Sequence, residues 1–173
     1  MRLCLPVLIA AMLSASPAAA ERLQFDHRLS PSLKAAFDAN DPALIDFNDK
    51  NPRYVTDLVA MRGKSAKDWI EALLIIARTP SKTVRTPGAW RDELQAEAQR
   101  RCASTFQLLA EDEVSVTFER RSTGCPSGYA PIAVYRVVAG KRSLFLLGFM
   151  ARDAVGDQTL REWRAVLASA RIE

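Results

Sequence analysis

The chain has 173 residues, with 24 basic against 20 acidic side chains and a formal net charge of +4. That length suits a single domain, and 49% hydrophobic with 25% charged residues is a globular composition rather than a disordered one. So small a charge surplus speaks to solubility and gives no reason to expect nucleic acid as a partner, which needs a clustered basic face.

Met1-Arg2 is a short basic start, Leu3 to Leu13 an apolar run broken only by Pro6, and Ala18-Ala19-Ala20 the small-residue pattern that a signal peptidase reads. The run is shorter than the roughly 20 apolar residues that span a bilayer. The expectation is a secretory signal over residues 1–20, cleaved to leave one globular α+β domain over 21–173. That domain would be periplasmic or secreted, with no stable membrane span. Cys4 lies inside the apolar run and leaves with it.

Residues 21–52 read as an irregular or helical N-terminal arm. Ser30-Pro31 joins a cap to a proline at the first helical position, predicting a short helix to about Ala39. Asp41-Pro42 starts another turn carrying Leu44, Ile45 and Phe47, and Asn48 to Pro52 is a polar loop. Arg53 to Met61, with Tyr54, Val55, Thr56 and Val59, reads as a strand. Ser65 and Asp68 make an approximate capping box, and Trp69, Leu73 and Ile76 follow at helical spacing. This predicts a helix ending by Thr79, ahead of Pro80. Thr86-Pro87 opens the next helix, in which Trp90, Leu94, Ala98 and Cys102 fall four apart on one stripe.

The second half changes character. Thr105 to Ala110 is an apolar strand, and Val114, Val116 and Phe118 alternate with polar residues, so the two make a hairpin about Glu111-Asp112-Glu113. A loop from Arg120 to Tyr129 follows. Pro131 to Ala139 and the nearly all-apolar Ser143 to Met150 are two further strands, the second expected to be buried on both faces. Thr159 and Glu162 form a capping-box pair ahead of Leu160, Trp163, Val166, Leu167 and Ala170, the stripe of a final helix. The fold class is α+β: a central antiparallel sheet of about five strands flanked by helices.

Loss of the signal leaves Cys102 and Cys125. In an oxidising compartment an even pair is most simply a disulfide, the alternative being two separate buried thiols. Folding the hairpin about Asp112 brings residues near 102 opposite residues near 122, so both thiols arrive at its open end, within the reach of about 7 Å that a disulfide requires.

Motifs for specific chemistry are incomplete. Arg62-Gly63-Lys64-Ser65 follows a strand, but a phosphate-binding loop needs a glycine where Leu58 stands. Gly124-Cys125-Pro126-Ser127-Gly128 lacks the glycines of a nucleophile elbow, and the chain's one histidine, His27, is far away in sequence. The mature chain has too few cysteine and histidine ligands for a structural zinc, and no metal or cofactor is expected. Trp69, Trp90 and Trp163 lie on apolar stripes and pack the core, or else line a ligand pocket. The basic residues Arg120, Arg121, Lys141 and Arg142 lie at strand ends or turns and form a candidate binding surface for an anionic partner.

The order of elements resembles the PsbP-like α/β/α sandwich. The likeness is carried by the strand and helix at Tyr54 to Ala77, the strand series at Thr105 to Met150, and the closing helix Leu160 to Ile172. The ending Ala168-Ser169-Ala170-Arg171-Ile172 is similar to the last helix of that family. The resemblance implies a binding or assembly module rather than an enzyme. The functional expectation is an exported non-enzymatic module that recognises a protein or envelope component. A periplasmic carrier of an apolar small molecule is the alternative, and a hydrolase with an unrecognised carboxylate pair a third.

Overall fold

The computed structural model describes residues 21–39, 44–46, 54–65 and 67–173, with the backbone alone for 44–46 and 54. The expected signal segment 1–20, the turn at Asp41-Pro42 and the polar loop 48–52 lie outside the described residues. In chain order come β1 (Leu23–Gln24), a 3-10 turn (His27–Leu29), α1 (Pro31–Asp38), β2 (Leu44–Asp46), β3 (Tyr54–Gly63) and β4 (Trp69–Arg78). They are followed by α2 (Pro87–Arg101), β5 (Ala103–Glu111), β6 (Ser115–Thr123), β7 (Ile132–Ala139), β8 (Leu144–Ala151), α3 (Asp157–Ala168) and β9 (Arg171–Ile172).

Seven described strands form one sheet in the order β2-β3-β4-β8-β7-β6-β5, every neighbouring pair antiparallel. Strands β5 to β8 are a meander whose last member docks on β4. α2 therefore has to carry the chain across one face of the sheet, from β4 in the middle to β5 at the edge. α3 covers the opposite face. The short pair β1-β9 joins the two ends of the described domain, with Leu23 opposite Ile172.

Helices on both faces make two cores. Under α3, Trp163 and Leu167 are fully buried against Leu73, Val134 and Phe149, and the Trp163 ring stacks on Phe149 at 5.3 Å. Under α2, Trp90 packs with Val116, Phe118, Tyr135 and Leu146. No helix of the described residues is long and apolar enough to cross a membrane.

This double cover accounts for the main departure from the sequence reading. Residues 69–78, expected as a helix, are strand β4, paired through Leu74 with both Leu58 of β3 and Gly148 of β8. A strand with apolar residues on both faces, here Leu73 and Ile75 on one and Leu74 and Ile76 on the other, has no polar side, so its period of two is hidden, and Trp69, Leu73 and Ile76 mimic helical spacing. The hydrogen bond read as a cap exists, from the Asp68 amide to Ser65 Oγ at 3.0 Å, but it shapes the β3–β4 turn. Gly63 (φ 141°) is needed there, because a Cβ would lie 2.5 Å from the Asp68 carbonyl oxygen and the Trp69 Cα.

With Leu44–Asp46 also extended, the sheet has seven strands among the described residues rather than about five. The last helix stops at Ala168. Beyond it the backbones of Arg22 and Glu173 exchange hydrogen bonds of 2.8 and 3.0 Å, so strand pairing overrides continued helix over 171–172. That helix starts at Asp157 behind Gly156, before Thr159, which leaves the expected capping box unused. The β5–β6 turn needs no glycine, because Asp112 Oδ1 accepts from the Val114 and Ser115 amides at 2.9 and 2.6 Å.

Candidate functional site

The crossing of α2 over the sheet positions the site. Thr86 caps the helix, its Oγ1 accepting from the Ala89 amide at 3.2 Å, and Pro87 fits the first turn. At the other end Cys102 leaves the helix and is bonded to Cys125, with 4.9 Å between the two α-carbons. The disulfide fastens the end of α2 to the loop between β6 and β7. Tyr129 and Ala130, in that loop, face Leu94, Ala98 and Arg101 of α2 across a cavity of about 330 Å³. The sheet supplies the floor: Leu74 of β4, Met150 of β8, Tyr135 of β7 and Arg120 of β6, with Trp69 at the margin.

The Tyr135 ring lies directly over Gly148 of the neighbouring strand, where a Cβ would come within 2.6 Å of Tyr135 Cδ1. Burial pushes the Tyr135 phenol above its ordinary pKa, so it stays protonated and is a hydrogen-bond donor at neutral pH.

Arg120 dominates the electrostatics. It is 5% exposed. One terminal nitrogen donates to the Tyr129 hydroxyl and the other to the Ala130 carbonyl, and the guanidinium carbon lies 4.5 Å from the Tyr129 ring centre. Its Nε is buried without a hydrogen-bond partner among the described residues. The other charged residues buried in the described part all have ion pairs: Glu71 with Arg62 at 2.7 Å, Arg78 with Glu93 at 2.9 Å, and Glu119 with Arg121 and Arg164 at 2.7 and 2.6 Å. Arg120 has no carboxylate within ion-pairing distance among the described residues. The one acid on the cavity wall, Glu97, is engaged by Arg101 at 2.6 Å. Burying an unpaired guanidinium costs several kcal/mol, roughly, before any compensation.

The residues expected to form one basic surface do not come together. Alternation along β6 sends Arg120 inward under α2 and Arg121 to the opposite face, where it pairs with the buried Glu119. Lys141 and Arg142 occupy the β7–β8 turn, next to the end of β7 that pairs with Ser115, whereas Arg121 is opposite Ile132 at the other end, about 20 Å along the strand. The Lys141 and Arg142 amides hold the Glu21 carboxylate. Burial alone would raise the Glu21 carboxyl, but these hydrogen bonds, with those from Ser143, outweigh it and hold it below the ordinary value.

The tryptophans are likewise dispersed. Trp69 borders the cavity, Trp90 is core beneath α2 with Arg78 stacked on it at 5.2 Å, and Trp163 is on the far side of the sheet. His27 stacks on Phe37 at 5.0 Å, in the N-terminal arm. Tyr129 and Tyr135 were not singled out from the sequence. A usable signal existed for Arg120: extending the Val116, Phe118 alternation by one step puts it on the buried face.

No protein-family model matches the chain, and no curated protein matches it by sequence. Among solved structures it is similar to the cyanobacterial PsbP (CyanoP) of Synechocystis sp. PCC 6803, in solution, with a TM-score of 0.52 at 13% identity, covering 92% of this chain and 96% of that one. At that identity the likeness is one of fold, and this chain has a PsbP-like α+β sandwich.

Proposed function

We propose that the chain is an exported, non-enzymatic binding module of the cell envelope, and that it recognises its ligand in the recess between α2 and the sheet. The observation that carries this reading is Arg120, a buried cation with no counter-charge among the described residues, on the wall of an aromatic-lined cavity. Polar groups placed sparsely in an apolar recess are how small-molecule sites fix orientation. A protonated Tyr135 suits a donor in such a site better than a general base. The disulfide between α2 and the β6–β7 loop agrees with an oxidising compartment and clamps the two walls. Of the two binding modes expected from the sequence, the cavity favours the small-molecule carrier, with Trp69 the one tryptophan at the site.

Native mass spectrometry of unreduced protein from its own host tests this. The expected species is residues 21–173 carrying a non-covalent small molecule, and that added mass disappears in L94W, which fills the recess from α2. A bound protein in place of a small molecule, or an added mass that L94W leaves intact, would refute the reading.

A further inference from the structure

We propose that the recess under α2 takes a compact organic carboxylate with a flat apolar body, the carboxylate completing Arg120. This rests on the recess being the recognition site, and adds the chemical class of what it recognises. A guanidinium has five N–H donors, and Arg120 uses two of them, on Tyr129 and Ala130. Its charge has no ionic partner among the described residues, whereas Glu71, Arg78 and Glu119, buried to the same degree, all have one. The fold thus supplies counter-charges where it buries ions and withholds one on a cavity wall. A ligand carboxylate would supply that counter-charge with a charge-assisted hydrogen bond, the strong kind. Glu97 does not compete for the role, being held by Arg101.

The remaining walls set the body of the ligand. Trp69, Tyr129, Leu74 and Met150 offer flat and flexible apolar surface. An inorganic anion would leave these walls without a contact, and a neutral apolar ligand would leave Arg120 uncompensated. The volume of about 330 Å³ is at the lower end of the roughly 300–1,000 Å³ typical of ligand sites, which selects a compact ligand over a long acyl chain.

The test uses a pair with the same carbon skeleton, 3-phenylpropanoate and 3-phenylpropan-1-ol, titrated calorimetrically into the mature protein with its disulfide intact. The acid is expected to bind at least about tenfold more tightly than the alcohol, and the preference is expected to vanish in R120M, with circular dichroism confirming the fold. L94W is expected to abolish binding of both. Equal affinity for acid and alcohol overturns the carboxylate inference and leaves the recess standing as a binding site. Binding of neither, or binding that L94W does not change, overturns both readings. A tenfold preference that survives in R120M removes Arg120 from the role. Should R120M not fold, the ratio measured on the unsubstituted protein decides.

Discussion

Arg120→Met isolates the cost of keeping a cation in the recess. Two contributions favour arginine. Its hydrogen bonds to the Tyr129 hydroxyl and the Ala130 carbonyl are each worth about 1.5–3 kcal/mol for a charged donor. Its stacking against Tyr129, at 4.5 Å, adds about 0.5–2 kcal/mol. Against them stands the burial of an unpaired guanidinium at 5% exposure, an effective penalty of roughly several kcal/mol. Methionine is unbranched and adaptable enough to take the space of the arginine stem. The opposing effects cancel to within about 2 kcal/mol, in either direction. Urea unfolding with a check on constant m-value measures this, and the melting midpoint should move by less than about 8 °C, at roughly 2–4 °C per kcal/mol for a domain of this size. A loss above about 4 kcal/mol would show that the cation is a compensated keystone of the fold, and would refute the argument that its charge is held open for a ligand.

Other substitutions probe the supports of the site. Gly148→Ala places a methyl group against the Tyr135 ring, and the strain should cost about 1–3 kcal/mol while weakening ligand binding; a chemical denaturation curve paired with a titration reads both. Cys102→Ser with Cys125→Ser opens a loop with a sequence separation of 23 residues and should lower stability by about 3 kcal/mol. Because that bond joins α2 to the β6–β7 loop, affinity should fall in the same variant even at temperatures where it is folded. Glu21 has a carboxyl held below its ordinary value of 4.5, so its contribution is present above pH 4.5 and is lost as pH falls through the lower folded value. Glu21→Gln should flatten the acid limb of a pH–stability profile, and an unchanged acid limb would dissociate Glu21 from the β7–β8 turn.

The fold was legible wherever one side of an element meets water. The meander from β5 to β8, and α2 behind its Thr86-Pro87 cap, stand in the sequence with ends displaced by a residue or two, or up to four at β6. The Cys102–Cys125 bond followed from the hairpin register. β4 was hidden because both of its faces are apolar, Leu73 and Ile75 joining one core and Leu74 and Ile76 the other, which removes the polar alternation that distinguishes a strand from a helix. β9 was hidden because only its pairing with the distant β1, Arg22 to Glu173, makes it extended. The site was less legible than the fold. Arg120 and Arg121 are neighbours in sequence and look like one basic patch, yet the pleat sends them to opposite faces of the sheet. The cavity itself lies between α2 and a floor of Leu74, Tyr135 and Met150, drawn from three strands far apart in sequence, which no local pattern brings together.

Chemical-shift mapping of the isotopically labelled residues 21–173 with 3-phenylpropanoate tests the central claim most directly, since it reads both binding and place. Saturable shifts are expected at the amides of Arg120, Tyr129, Ala130 and Tyr135 and along α2 from Leu94 to Ala98, with α3, β1 and β9 unchanged. Shifts centred on the α3 face or on the β7–β8 turn, or none at saturating ligand, would contradict the account.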